Sequence, residues 1–330
     1  MNEILASRPN HPGVMLIASR ALSASRPALI AFLITKGSEL SGGVAQPISF
    51  CNVLFVGNLC AALVVGAWFG LGKIFKDLTV LKPKVLAGLL INGCLATLLS
   101  ALIFLGLQYT TVTNAVLLGR LGPVLFALLG AVVLGKPIKR LEWVGFSLIT
   151  VGVVAIALKT SGFQINLGDF LILMSTIVFA VSALVNKLMV ATSATVSSVV
   201  FSRNLLSSII FFVIAMKLFG PNHFGDTFSG KLWITMSIYA LIVIVFAQYL
   251  WYASVNYLDS KTIGQLTVMS PIFGVTYAFL LNGERPSRIQ IVTLLIVISG
   301  VLIASLGGHK KSESKPEMML QEPENSASAP

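Results

Sequence analysis

Apolar runs of about twenty residues recur from residue 22 to residue 306, separated by short stretches carrying Gly, Pro, Lys and Asp. A helix rises 1.5 Å per residue, so about 20 apolar residues cross the hydrocarbon core of a bilayer. The pattern predicts ten membrane-spanning helices. Five fall at about 22–40, 49–71, 85–107, 114–134 and 142–158, and five at about 169–189, 197–219, 232–257, 262–282 and 288–306. The first is the least regular, because Arg20, Arg26 and Pro27 crowd its start. Residues 1–21 read as a cytoplasmic N-terminal segment without the A-x-A site of a secretory signal. From Gly307 the composition turns to Lys, Ser, Glu and Pro, and a disordered cytoplasmic tail is expected over 307–330.

Composition agrees. Charged residues make up 11% of the chain, where a soluble protein averages about 25%. The mean hydropathy of +0.90 also marks an integral, multi-pass membrane protein. The net charge of +11 forms no basic face or arm, so nucleic acid is not an expected partner. It follows the positive-inside rule instead. With ten spans, fourteen Lys and Arg share the side of both termini and five lie on the other. That places both ends in the cytoplasm, most simply of a plasma (inner) membrane. Cys51, Cys60 and Cys94 fall inside apolar runs without a CxxC partner and read as small core residues. His11, His223 and His309 lie outside those runs, so no metal site and no cofactor is expected.

The two halves repeat. At an offset of 148, Tyr109 matches Tyr257, Pro123 matches Pro271, Gly135 matches Gly283, Arg140 matches Arg288 and Gly152-Val153 matches Gly300-Val301. At an offset of 151, Lys36 matches Lys187 and Asn52 faces Arg203. Five spans per half is an odd number, so the second copy enters the membrane from the opposite side. The expected fold is all-α, with ten transmembrane helices in two inverted five-helix repeats, 22–158 and 159–306.

The stretch Gly122–Lys136 reads GPVLFALLGAVVLGK, and Ser270–Glu284 reads SPIFGVTYAFLLNGE. A P-V-L-F-A-L-L helix, a Gly–acid turn and a following helix ending in G-V resemble the EamA branch of the drug/metabolite transporter superfamily. The resemblance covers about residues 24–306. It implies carrier-mediated movement of a small metabolite without fixing which one. Lys136 departs from the pattern, standing where the first copy would carry an acid.

Four cations fall within the predicted spans: Lys36, Arg120, Lys187 and Arg203. Each has two readings. Its stem can lie along lipid with the head at the interface, or its head can point into a wet cavity on a substrate path. Lys187 suits the first, and Glu39 lies within an ion pair's reach of Lys36. Arg120 is deeper and has a planar fork suited to carboxylate or phosphate. In carriers of sugar phosphates and nucleotide sugars that resemble this chain, the same position often bears a basic residue, which implies a substrate contact at Arg120. Only Glu39 among the acids reads as buried, so the sign of the cavity favours an anionic or zwitterionic substrate.

Arg120, Lys36, Arg203 and Asn52 are therefore candidate substrate contacts. Gln248, Trp251 and Tyr252 join them, because helical spacing puts them on one face as an aromatic–amide wall. An interfacial aromatic belt has the same spacing. Pro123 and Pro271 each remove a backbone hydrogen bond. They mark a fixed kink in each half or a hinge. Gly66-x-x-x-Gly70 suits close helix packing and a homodimer.

The leading function is a secondary transporter working by alternating access on a small polar metabolite, with the lipid bilayer as its other partner. An intramembrane enzyme or a channel is the alternative. A membrane histidine beside a serine, paired buried aspartates and a Walker A stretch are all missing from the sequence.

Overall fold

The computed structural model describes residues 11–40, 50–135, 137–159, 166–190, 194–220, 230–255, 257–258 and 260–307, and these are helical almost throughout. In chain order the α-helices are α1 (Pro12–Ala24), α2 (Arg26–Leu40), α3 (Phe50–Phe69), α4 (Leu71–Thr79), α5 (Pro83–Gly106), α6 (Val112–Leu118), α7 (Leu121–Leu134) and α8 (Arg140–Lys159). Then come α9 (Leu167–Val185), α10 (Val196–Phe219), α11 (Gly230–Tyr239), α12 (Ala247–Val255), α13 (Ser260–Thr267), α14 (Met269–Asn282) and α15 (Arg288–Gly307). A wider π turn, Asn186–Val190, continues α9, and another, Ala240–Phe246, joins α11 to α12.

The helices fall where the apolar runs predict, with one correction, at the first span. The first span does not begin at residue 22. Pro12 opens α1 at its first turn, where a missing N–H costs nothing, and the apolar stretch Pro12–Leu33 carries Arg20 and Arg26 inside it. Lys36 lies beyond that stretch and is exposed. The second span turns by 95° between Phe69 and Leu71. The turn needs Gly70 at φ +86°, a backbone conformation that a side chain rarely tolerates. Gly66 receives Leu71 and Phe201, so the G-x-x-x-G pattern serves this corner within the chain.

The helices of spanning length can be counted over the described residues. Among the described residues, eight helices are long and apolar enough to cross a membrane, or nine with the bent pair. The stretch 260–282 is interrupted at Val268 and carries Lys261, Thr262, Gln265, Thr267 and Ser270. It is not among the nine.

The 148-residue register of the sequence reappears in the helix bounds. Adding 148 to the bounds of α7 (121–134) gives those of α14 (269–282), and adding it to α8 (140–159) gives α15 (288–307). Each of α7 and α14 ends at a left-handed glycine, Gly135 at φ +64° and Gly283 at φ +67°.

The corresponding helices α8 and α15 pack against each other with their backbones in contact. A methyl group added to Gly300 would lie 2.8 Å from the Gly145 carbonyl oxygen and 2.8 Å from Ile149. Backbone cannot yield as a side-chain tip does. Gly300→Val therefore forces the pair apart at a cost of about 1–3 kcal/mol or more. We expect a marked loss of the monodisperse fraction in size-exclusion chromatography, and none for Gly130→Ala, where the added methyl meets open space.

Candidate functional site

Two interrupted helices meet inside the bundle. Pro27 lacks the N–H that would bond the Ser23 carbonyl, and α1 gives way to α2 at Ser25. Pro123 likewise leaves the Gly119 carbonyl without its ordinary partner. The chain tightens there, with Arg120 N–H on Leu117 O (3.1 Å) and Gly122 N–H on Gly119 O (3.2 Å), so α6 ends and α7 begins.

Between these breaks lies a cavity of about 170 Å³. Ser23, Ala24 and Pro27 line it from the first break, and Ala115, Val116, Gly119 and Arg120 from the second. Ile172 and Ser175 of α9, Gly274 of α14 and Ile103 of α5 close it. Interrupted helices bordering a cavity are the usual setting of a binding site in a membrane bundle, because irregular backbone is tolerated there.

Arg120 is at the break and half-buried. Its Nε donates to the Val116 carbonyl at 3.4 Å, near the negative end of the α6 half-helix. Two further arginines lie on the first interrupted helix, one on each side of Ser25, and neither lines the cavity. The Arg20 guanidinium lies 3.9 Å over the Trp251 ring and donates to Ser19 Oγ at 3.3 Å. Arg26 lies beside the Tyr239 hydroxyl. Arg20 acts electrostatically on Arg120, and Arg26 acts on Arg20. Among the described residues no carboxylate pairs with any of the three. An arginine within a span costs about 2.5–3.5 kcal/mol by insertion scales. A cation–π contact returns about 0.5–2 kcal/mol of that for Arg20.

The sequence candidates divide. Arg120 lines the cavity, and Trp251 reaches the group through Arg20. Gln248 is half-buried and Arg203 is half-buried with contacts of its own, but neither lines this cavity. Lys36 and Lys187 are exposed. The side chains of Asn52, Tyr252 and Glu39 lie outside the described residues. Pro123 and Pro271 are each the third residue of a second half-helix, Pro123 exposed and Pro271 buried.

The sequence reading missed Arg20 and Arg26. The signal was the apolar Val14-Met15-Leu16-Ile17 ahead of Arg20, which puts both arginines inside a span. Asp169, expected at a span end, is fully buried and accepts a short hydrogen bond from Thr110. Cys60 is buried as expected, whereas Cys94 is exposed on the bundle surface.

A second feature ties the halves together. Glu284, the acid of the second Gly–acid turn, accepts from Val112 N (2.7 Å), Thr113 N (2.9 Å) and Thr113 Oγ1 (2.9 Å). These are the first donors of α6, which have no partner inside their own helix. Beside them Gln290 Nε2 donates to Asn114 Oδ1 at 2.7 Å.

The model of the EamA-like transporter family matches the chain twice, over residues 41–158 and 166–306. The chain belongs to that family. An uncharacterized transporter of Synechocystis sp. is 29% identical over 314 residues, covering 92% of this EamA protein and 89% of the relative. The riboflavin transporter ImpX of Fusobacterium nucleatum is 26% identical over 274 residues, 77% of this chain and 88% of its own. A protein of known crystal structure superposes with a TM-score of 0.56 over 87% of this chain and 98% of that one. Its 17% sequence identity bears on the fold alone. Both EamA segments contribute to the cavity: Arg120 and its neighbours from the first, and Ile172, Ser175 and Gly274 from the second. Arg20 and Arg26 precede both.

Proposed function

We propose that this EamA-like protein is a secondary carrier with ten spans in two inverted five-helix repeats, moving a small polar metabolite by alternating access. The observation that carries the reading is the cavity at the two helix breaks, lined from both family segments and holding Arg120. A site between two related halves can open to either side when one rocks against the other, with Pro123 and Pro271 as hinges. The excess of Lys and Arg in alternate loops supports cytoplasmic termini in a plasma membrane. In that orientation Glu284 and the start of α6 lie at the outer end of the bundle, and their hydrogen bonds hold that end shut.

The test is counterflow. Purified protein in liposomes is preloaded with one solute, and uptake of its labelled form is followed. The panel includes organic anions, amino acids and riboflavin, the solute named for the Fusobacterium relative. A carrier gives saturable uptake that overshoots equilibrium when the inside is preloaded. Unsaturable flux without overshoot indicates a channel, and chemical change of the solute indicates an enzyme. Either result removes the carrier reading.

A further inference from the structure

We propose that Arg20, Arg26 and Arg120 form one anion-binding site, which takes a small organic dianion from the cavity between the helix breaks. The ligand class is a dicarboxylate or a phosphate monoester, since both present paired oxygens carrying two negative charges. The inference deepens the carrier reading and rests on it for the ligand's route in and out.

Three observations converge on it. The first is charge. Arg20 acts electrostatically on Arg120 and Arg26 on Arg20, Arg20 also stacks on Trp251, and among the described residues no carboxylate pairs with any of the three. Groups of like charge held together in a medium of low dielectric repel strongly unless a counter-charge joins them. Two negative charges leave one cation over. The Val116 carbonyl end of α6 and the face of Trp251 already offset that remainder in part.

The second is donor capacity. Each guanidinium has five N–H donors. Arg120 commits its Nε to Val116, and Arg20 commits one terminal nitrogen to Ser19. The Nε atoms of both Arg20 and Arg26 are buried with no hydrogen-bond partner. Buried donors are nearly always paired in native proteins, so these two Nε atoms, on the helices whose Ser23, Ala24 and Pro27 line the cavity, have capacity for an acceptor. A carboxylate or phosphate accepts several such bonds at once, two from one planar fork.

The third is size and wall chemistry. About 170 Å³ is the volume of some six waters at roughly 30 Å³ each. That suits a compact metabolite. Ser23 and Ser175 supply hydroxyls for the uncharged part, and Ile103, Val116 and Ile172 exclude water around it.

The test is thermal unfolding of the purified full chain in detergent at constant ionic strength. The probes are succinate and glycerol 3-phosphate, with succinamide, glycerol and riboflavin as uncharged controls. A ligand of the folded state raises the apparent Tm by mass action. We expect a saturable rise with at least one dianion and none with the controls. The apparent Kd should weaken at least ten-fold in Arg26→Gln and in Arg20→Gln, and less in Arg26→Lys, which keeps the charge and loses the fork. If Arg26→Gln does not melt cooperatively, Arg20→Gln and Arg26→Lys carry the comparison.

The site is overturned if neither dianion shifts the Tm, if the Gln variants bind as the parent does, or if an uncharged control shifts it equally. Counterflow separates the two readings. Exchange of a neutral solute by a protein that binds no dianion removes the site and leaves the carrier. Dianion binding without exchange of any solute removes the carrier and leaves the site.

Discussion

Arg120→Gln is expected to abolish solute exchange in proteoliposomes while the protein stays folded. Arg120 sits where α6 gives way to α7, half-buried at the cavity. Glutamine keeps a donor for the Val116 carbonyl, so the helix break retains a partner. What it lacks is the charge and the fork. Removing one partner of a buried charged pair costs about 2–5 kcal/mol, and every 1.4 kcal/mol is ten-fold. Solute affinity and exchange at low concentration should therefore fall at least ~30-fold. Arg120→Lys should fall between the two, since an ammonium supplies the charge without two-pronged geometry. The apparent Tm of the unliganded Gln variant should not drop, because one costly buried cation has been removed. Wild-type exchange rates in the Gln variant would sink the assignment, whatever the solute proves to be.

Glu284→Ala is expected to destabilise the protein and to loosen the end of the bundle where α6 starts. The Glu284 carboxylate accepts from two backbone N–H groups and from the Thr113 hydroxyl. Hydrogen bonds to a charged group contribute about 1.5–3 kcal/mol each, and a negative charge at a helix N-terminus adds about 0.3–1 kcal/mol. They share one anchor, so the loss is less than their sum. A drop of about 3 kcal/mol is the expected scale, measured as a fall in apparent Tm. A cysteine placed at Thr111, one residue before α6, should react faster with a water-soluble maleimide in the Glu284→Ala background. Glu284→Gln should lie between, because its amide keeps one acceptor oxygen where the carboxylate offered two to three donors. An unchanged melting curve and labelling rate would show that this contact holds nothing in place.

Much of the fold could be read from the chain because hydrophobic runs of bilayer length have few other uses. Even the bounds of α14 and α15 follow those of α7 and α8 at the register that Pro123, Gly135 and Arg140 share with Pro271, Gly283 and Arg288. The first helix misled for a physical reason. Arginine normally marks where a span ends, so Arg20 and Arg26 set the start too late, when in fact they lie within it. Linear sequence does not tell a cation that ends a span from one that faces inward.

The same ambiguity held for Lys36, which admitted both a structural and a substrate-contact reading and is exposed beyond Leu33. Trp251 was visible as part of an aromatic face, but its partner across the bundle, Arg20, lies 231 residues away, and periodicity carries no such information. The Gly–acid turn was legible as a motif. Its contact was not, since Glu284 reaches Val112 172 residues back in the chain.

The corner at Gly70 has a consequence for how the molecule sits in its surroundings. If α3 crosses the bilayer along its normal, a helix leaving it at 95° would run along the membrane surface. α4 is seated there by Ile74, which is fully buried, by Phe75 edge-on to Phe201, and by a hydrogen bond from Thr195 to Asp77. Lys73 and Lys76 are exposed along it, and on a bilayer surface they would attract lipid phosphates. A strut so placed would act as a float that sets immersion depth. In a thinner or thicker bilayer the strain of mismatch would be taken up by the opposite ends of the helices and by the lipid around them, while the α4 end keeps its level.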